Sequence, residues 1–193
     1  MRPLNIMELY SDTYYIERIQ AGDTASFACL LDRYSRLVYS LILRIVRNKE
    51  DAEELTQDVF MKVFNKLGSF KGDSSFSTWI YRIAYNTAIS EVRKNRPEHL
   101  AIEESVMADV SEDEIAGSLG SVGENEQTRR LDAALELLSP DERAIVLFFY
   151  MEDKAIEDIA NITGLSIANV KVKLHRIRKK LFVLLKKMEE LEQ

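Results

Sequence analysis

Cysteine is almost absent: Cys29 stands alone among 193 residues. No disulfide can form within the chain, which fits a reducing compartment. Histidine is as scarce, with only His99 and His175, so a zinc site of Cys/His type has too few ligands and no metal is expected. Seven glycines and three prolines are too few for an all-β chain built on tight turns. Long apolar runs are missing too. The stretch 144–151 is among the longest, far short of the roughly 20 residues that span a bilayer. The N-terminus does not set a basic segment before an apolar one, so neither a signal peptide nor membrane insertion is expected. There is no phosphate-cradling loop, no dinucleotide fingerprint and no nucleophile that can be paired with a base. The expectation is a cytoplasmic chain that is not an enzyme and needs no cofactor.

What the chain has in quantity is helix-forming residues. Its apolar share of 46% is too high for wholesale disorder, and long stretches are rich in Leu, Glu, Lys, Arg and Ala. The expected fold is all-α, with two small helical domains over 11–96 and 125–190, joined by an acidic flexible linker over 97–124. The net charge of −6 hides an uneven distribution. Between Pro97 and Thr128 stand nine acids and no Lys or Arg, and three of the seven glycines fall at 117, 120 and 123. Setting those nine charges aside leaves +3 on the remainder, and local charge decides what a surface attracts.

In the first half, Tyr15, Ile16 and Ile19 mark a helix that stops at Gly22-Asp23. Asp23 or Thr24 then caps a helix with Phe27, Leu30, Leu31 and Tyr34 on its inner face, continued by an apolar stretch from Leu37 to Val46. Asn48 caps the next helix, whose buried stripe is Leu55, Val59, Val63 and Leu67. Glu54, Gln57, Asp58 and Met61 fall away from that stripe. Such a face is either a solvated surface or a docking surface.

The chain is organised around residues 70–96. A glycine-containing turn, Phe70-Lys71-Gly72-Asp73-Ser74, leads into a helix capped by Ser74 or Ser75 and halted before Pro97. Phe76, Ile80, Ile83, Ala84 and Thr87 share one face. Arg82, Asn86, Ser90 and Arg93 form a polar, basic row flanked by Trp79, Tyr81 and Tyr85. Cations, an amide and rings can hold a phosphate backbone and stack on unpaired bases. An ordinary amphipathic helix with its rings in the core fits the same pattern.

In the second half, Leu131, Leu135 and Leu138 mark one helix. Ser139-Pro140 restarts the chain, and the apolar helix through Ile145, Val146, Phe148 and Phe149 is central. Residues 156–181 have helix-turn-helix form. Gly164 ends the first helix, Ser166 caps the second, and Ile159, Leu165, Val170, Leu174 and Ile177 tie the pair. From Leu165 to Lys187 there are eight basic residues and no acid. Asn169, Lys171, Val172, His175 and Arg176 sit near the start of the second helix, where base edges are read. A basic solvated helix is the alternative.

Gly72-Asp73-Ser74-Ser75-Phe76-x-Thr78-Trp79-Ile80-Tyr81-Arg82-Ile83-Ala84-x-Asn86-x-Ala88 resembles the promoter-melting segment of the extracytoplasmic-function (ECF) sigma factors, a group within the sigma-70 family. The resemblance covers roughly 11–96 and 125–187. It implies that Phe70, Lys71, Gly72, Asp73, Ser74, Trp79, Arg82, Asn86 and Arg93 contact the −10 element. It implies −35 contacts from Ser166, Asn169, Lys171, Val172, Lys173, His175 and Arg176. The stretch from Asp51 to Phe60 resembles the helix that binds the clamp coiled coil of RNA polymerase, through Asp51, Glu54, Gln57, Asp58 and Met61. The implied partners are core RNA polymerase, at its clamp coiled coil and flap, promoter DNA and an anti-sigma protein. In such factors the linker threads through the polymerase. The second half departs from the family pattern, with Ala168-Asn169 in place of Gly-Thr, Val172 in place of Ser and Ala155 in place of a capping Ser or Thr. Two other classes remain open: a helix-turn-helix regulator with an N-terminal sensing or dimerisation domain, and a helical interaction module that binds only protein.

Overall fold

The computed structural model describes residues 10–95 and 124–191. Every regular element among them is helical. The chain divides into two compact units, the first built on four helices and the second on four more. Of the stretch predicted as a linker, 97–124, all but Glu124 lies outside the described residues.

The first unit holds α1 (Asp12–Gln20), α2 (Phe27–Val46), α3 (Lys49–Lys66) and α4 (Phe76–Asn95). Ser11 caps α1 by accepting the Tyr14 N–H at 3.3 Å. Gly22 follows it with φ of 103°, a region open mainly to glycine. Asp23 opens a short 3₁₀ turn over 24–26, without a side-chain bond to a helix N–H, and α2 grows out of that turn. Asn48 caps α3, accepting from the Asp51 N–H at 3.0 Å, and Glu50 and Asp51 occupy the first turn, where the helix dipole favours acids.

The core of this unit follows the predicted stripes closely. Leu55, Val59, Val63 and Leu67 are all buried, joined by Ala52 and Phe60 from the same helix. They meet Leu30, Tyr34, Val38, Leu41, Ile42 and Ile45 of α2. Two positions depart from expectation. Leu31 and Leu37 are exposed, although helical spacing sets both beside the row through Leu30, Tyr34, Val38 and Leu41; the partners that cover the row do not reach these two positions. On α4 the buried arc is wider than predicted. It includes Phe76, Ile80 and Ala84 as expected, but also Tyr81, Tyr85, Ala88 and Ile89, whereas Ile83 and Thr87 are half-buried.

The second unit holds α5 (Glu124–Glu136), α6 (Pro140–Val146), α7 (Ile156–Thr163) and α8 (Ile167–Leu191). Ser139 and Glu142 form a reciprocal capping box at the start of α6, with Pro140 in its first turn, satisfying two N–H groups that the helix leaves open. α6 passes into a π-helical segment, Leu147–Met151. The backbone then turns at Asp153, with φ of 47°. Leu135 and Leu138 are buried as expected, but Leu131 is 41% exposed and Ala134 takes the inner position. Ile145, Leu147 and Phe148 are buried, and Phe149 only partly so.

Arg143 is the one charged residue buried among the described side chains, at 6% exposure. Its guanidinium donates to the carbonyls of Leu135 at 3.0 Å, Glu136 at 3.0 Å and Leu138 at 2.9 Å. Those carbonyls stand at and just beyond the end of α5, where a helix leaves acceptors unpaired and a cation is favoured.

Candidate functional site

The turn ahead of α4 is built from local chemistry. A 3₁₀ turn, Leu67–Ser69, ends in a Phe70 N–H bond to the Leu67 carbonyl at 3.1 Å. Gly72 has φ of 78° and open space where a Cβ would stand, so the backbone conformation, not crowding, asks for glycine. Ser75 is the residue that caps α4. Its hydroxyl accepts the Thr78 N–H at 3.1 Å and lies 3.0 and 2.8 Å from the hydroxyls of Ser77 and Thr78. Phe70 folds back on the helix, its ring 5.8 Å from Phe76 and 5.1 Å from Trp79. Phe76 in turn meets Tyr34 of α2 edge-on at 5.3 Å.

Along α4 the predicted polar row stays together. Arg82, Asn86, Ser90 and Arg93 are all exposed. Helical spacing puts Trp79, half-buried, on the same side as Asn86. Lys71, Gly72 and Asp73 are exposed, while Phe70 and Ser74 are half-buried. Tyr81 and Tyr85 are a correction to the sequence reading. They flank the row in sequence but lie inside, at 2% and 6% exposure, so among these rings only Phe70 and Trp79 remain within reach of a ligand. The ordinary amphipathic reading thus holds for two rings, and the polar row stays exposed beside them.

On α3, Asp51, Glu54, Gln57, Asp58 and Met61 are exposed together. Their spacing of three and four residues places them on one stripe. Met61 is 63% exposed, a large apolar side chain at the end of an acidic and amide-bearing face.

In the second unit, α7 and α8 meet at Gly164, whose φ of 75° closes α7. Its N–H reaches the Ala160 carbonyl at 2.9 Å. Ser166 caps α8, accepting from the Asn169 N–H at 3.2 Å. Ala155 caps α7 without a side-chain bond. Ile159, Ile162, Val170, Leu174 and Ile177 are buried and fix the angle of α8, with Leu165 half-buried. The opposite face of α8 carries Ser166, Asn169, Lys171, Val172 and Arg176, all exposed, and Lys173 and His175, half-buried. Val172 is 51% exposed.

Lys180 and Arg178, both from the basic run of this helix, are engaged inside the unit. Lys180 donates to the Glu142 carboxylate at 2.8 Å, both side chains largely buried. Burial works against the Glu142 charge, but the Lys180 ammonium and the Ser139 donors outweigh it and lower the carboxyl pKa. Arg178 donates to the Tyr150 hydroxyl at 2.7 Å and lies 5.7 Å from the Phe149 ring centre. Neither engagement is visible in a run of basic residues; each depends on how α6 and the π-helical segment pack. Among the described residues no three His, Cys, Asp or Glu side chains group so as to hold a metal ion. No helix there is long and apolar enough to cross a membrane.

Both units of the chain resemble known proteins. The Sigma-70 region 2 family model matches residues 30–98, and the Sigma-70, region 4 model matches residues 128–181. The RNA polymerase sigma-H factor of Pseudomonas aeruginosa is 30% identical over 173 residues, spanning 86% of this chain and 90% of that protein. The ECF RNA polymerase sigma-E factor of Escherichia coli K12 is 30% identical over 180 residues, spanning 89% and 92%. Among solved structures, the sigma factor RpoE in complex with the anti-sigma factor NepR from Bartonella quintana superposes with a TM-score of 0.60. It is 25% identical, and the match covers 83% of this chain and 96% of that one. The region 2 match takes in the turn and the polar row of α4, and the region 4 match takes in the helix-turn-helix; this chain belongs to the sigma-70 family of RNA polymerase sigma factors, within its ECF group.

Proposed function

We propose that this sigma factor directs core RNA polymerase to its promoters and opens them by dividing the work between two domains, 11–96 and 125–190, on either side of an acidic linker over 97–124. The first domain grips core polymerase through Asp51, Glu54, Gln57, Asp58 and Met61. It captures unpaired −10 bases through the turn Phe70, Lys71, Gly72, Asp73, Ser74 and through Trp79, Arg82, Asn86 and Arg93. The second holds the −35 duplex through Ser166, Asn169, Lys171, Val172, Lys173, His175 and Arg176.

The observation that carries this reading is the exposed face of α4. An amide and two guanidinium groups stand in one row beside a glycine turn and two partly accessible rings. An unpaired base offers a flat face and a hydrogen-bonding edge that duplex DNA hides. Binding the opened strand then drives opening, with no chemistry by the chain itself. Neither domain needs tight binding alone, because a tether raises the effective concentration of the second. On the recognition helix, Asn169 can pair with adenine, Lys171 or Arg176 with guanine, and Val172 can touch a thymine methyl.

An anti-sigma protein is the further partner we propose, by analogy with the Bartonella quintana sigma factor, which was crystallised with one. The site of action is the cytoplasm, where core polymerase works. The test is in vitro transcription with core polymerase and a genomic promoter library. Specific transcripts are expected only when the protein is added. Binding to promoter duplex without polymerase, and no transcripts with it, would favour the helix-turn-helix regulator instead.

A further inference from the structure

We propose that Gln20, the last residue of α1, is a positioning residue that holds the −10 capture loop in its receptive shape. The inference rests on the reading of Phe70–Ser74 as that loop. The Gln20 amide donates to the Leu67 carbonyl at 3.0 Å and, more weakly, to the Phe70 carbonyl at 3.4 Å. These two carbonyls bracket the 3₁₀ turn from which the loop departs. The donor comes from a helix 47 and 50 positions earlier in the chain.

The helix that carries Gln20 is itself anchored. Tyr15 and Ile16 are buried. Asp12 accepts from Arg33 at 2.5 Å and from the Tyr34 hydroxyl at 2.5 Å, both on α2. Arg33 also donates to the Tyr10 carbonyl at 2.9 Å. At the other end of α1, Arg18 pairs with Asp23 at 2.6 Å, and Asp23 accepts from the Ser26 hydroxyl at 2.8 Å. The amide is therefore presented from a fixed support. Phe70 is held on both sides: its carbonyl by α1, its ring by Phe76 and Trp79 of α4.

The physical consequence is preorganisation. A loop that samples many conformations binds in proportion to the fraction already in the competent one, and ordering it on capture costs entropy. Gln20 is itself exposed, so replacing it removes two donor contacts and little packing. It also lies ahead of residues 30–98, the part matched as region 2. The support for the loop thus comes from chain outside that match.

The test uses holoenzyme reconstituted with core polymerase and two single-stranded DNA 20-mers. One is enriched by the wild-type holoenzyme from a random pool; the other is its scrambled sequence. Gln20→Met removes the donor at constant charge and nearly constant length. The expected result is a loss of roughly three- to tenfold in affinity for the enriched 20-mer, the worth of one such hydrogen bond. Affinity for the scrambled 20-mer and for core polymerase should stay unchanged. Equal losses on both 20-mers, or a matching loss of core affinity, would assign Gln20 to the stability of α1 and overturn the proposal. Gln20→Met binding like wild type while Asn86→Ala binds weakly would also overturn it and leave the −10 reading standing. If Asn86→Ala too binds like wild type, the −10 reading fails and the role of Gln20 with it.

Discussion

At the scale of the residue, polar side chains on helices do opposite work in the two units. Asn86 is an amide left facing outward on α4, available to a base edge. Asn86→Ala should impair promoter opening, read by permanganate reactivity of unpaired thymines, more than it impairs binding to core polymerase. Equal loss of both would contradict its assignment. Arg143 is a cation turned wholly inward, donating to three main-chain carbonyls at the end of α5. Removing its side chain strands buried acceptors, so Arg143→Ala should destabilise the second unit by about 3 kcal/mol. Urea unfolding followed by circular dichroism checks this. Arg143→Lys should recover only part of that loss, because an ammonium lacks the planar fork. Neither role can be assigned from residue type: both side chains are polar residues within predicted helices.

At the scale of the element, caps and turns account for where most helices begin and end. Asn48, Ser75, Ser139, Ser166 and Gly164 all act where the sequence placed them, because a cap is satisfied within three or four residues of itself. Lys180 breaks that locality. It belongs by position to a basic run, yet it reaches across 38 residues to the capping box of α6. The ion pair should show in the pH dependence of stability. The Glu142 carboxyl titrates below its ordinary value of 4.5 when folded, so the unfolded chain takes up its proton first as pH falls. The pair's contribution is complete above the ordinary value and is lost as pH drops through the lower, folded one. The melting-temperature gap between wild type and Glu142→Gln should be full at neutral pH and close progressively below 4.5. A gap that stays constant into acid would remove the charge of Glu142 from the account.

At the scale of the whole molecule, an acidic protein carries a basic DNA-facing helix because its charges are segregated. The acids concentrate between Pro97 and Thr128, and the cations between Leu165 and Lys187. Binding of upstream duplex by holoenzyme should weaken as salt rises, with a slope set by the phosphates neutralised. Lys171→Ala and Arg176→Ala should each weaken that binding and lower the slope by about one. Lys180→Ala should leave the slope unchanged, since its ammonium is committed to Glu142. A titration of affinity against salt for the three variants separates these outcomes.

Much of this was legible in the residues alone. The buried stripe of α3, the exposed polar row of α4, the helix-turn-helix and the all-helical class follow from spacing, and spacing is a property of the chain. Where the sequence reading failed, the cause was the breadth of a contact rather than its period. Tyr81 and Tyr85 lie inside because α4 is packed over most of its circumference, while Leu31 and Leu131 lie outside although their spacing sets them on the buried face, because packing does not cover every turn of α2 and α5. The sequence by itself determined which residues form helices, the caps that start and stop most of them, and the central stripe of each apolar face, since local sterics and hydrogen bonding decide these within a turn or two. Only the tertiary structure decided that Gln20 meets the Leu67 and Phe70 carbonyls, that Arg143 closes α5, and that Lys180 and Arg178 are occupied. Those pairings join groups distant in the chain, and nothing short of packing the helices against one another brings them within hydrogen-bonding reach.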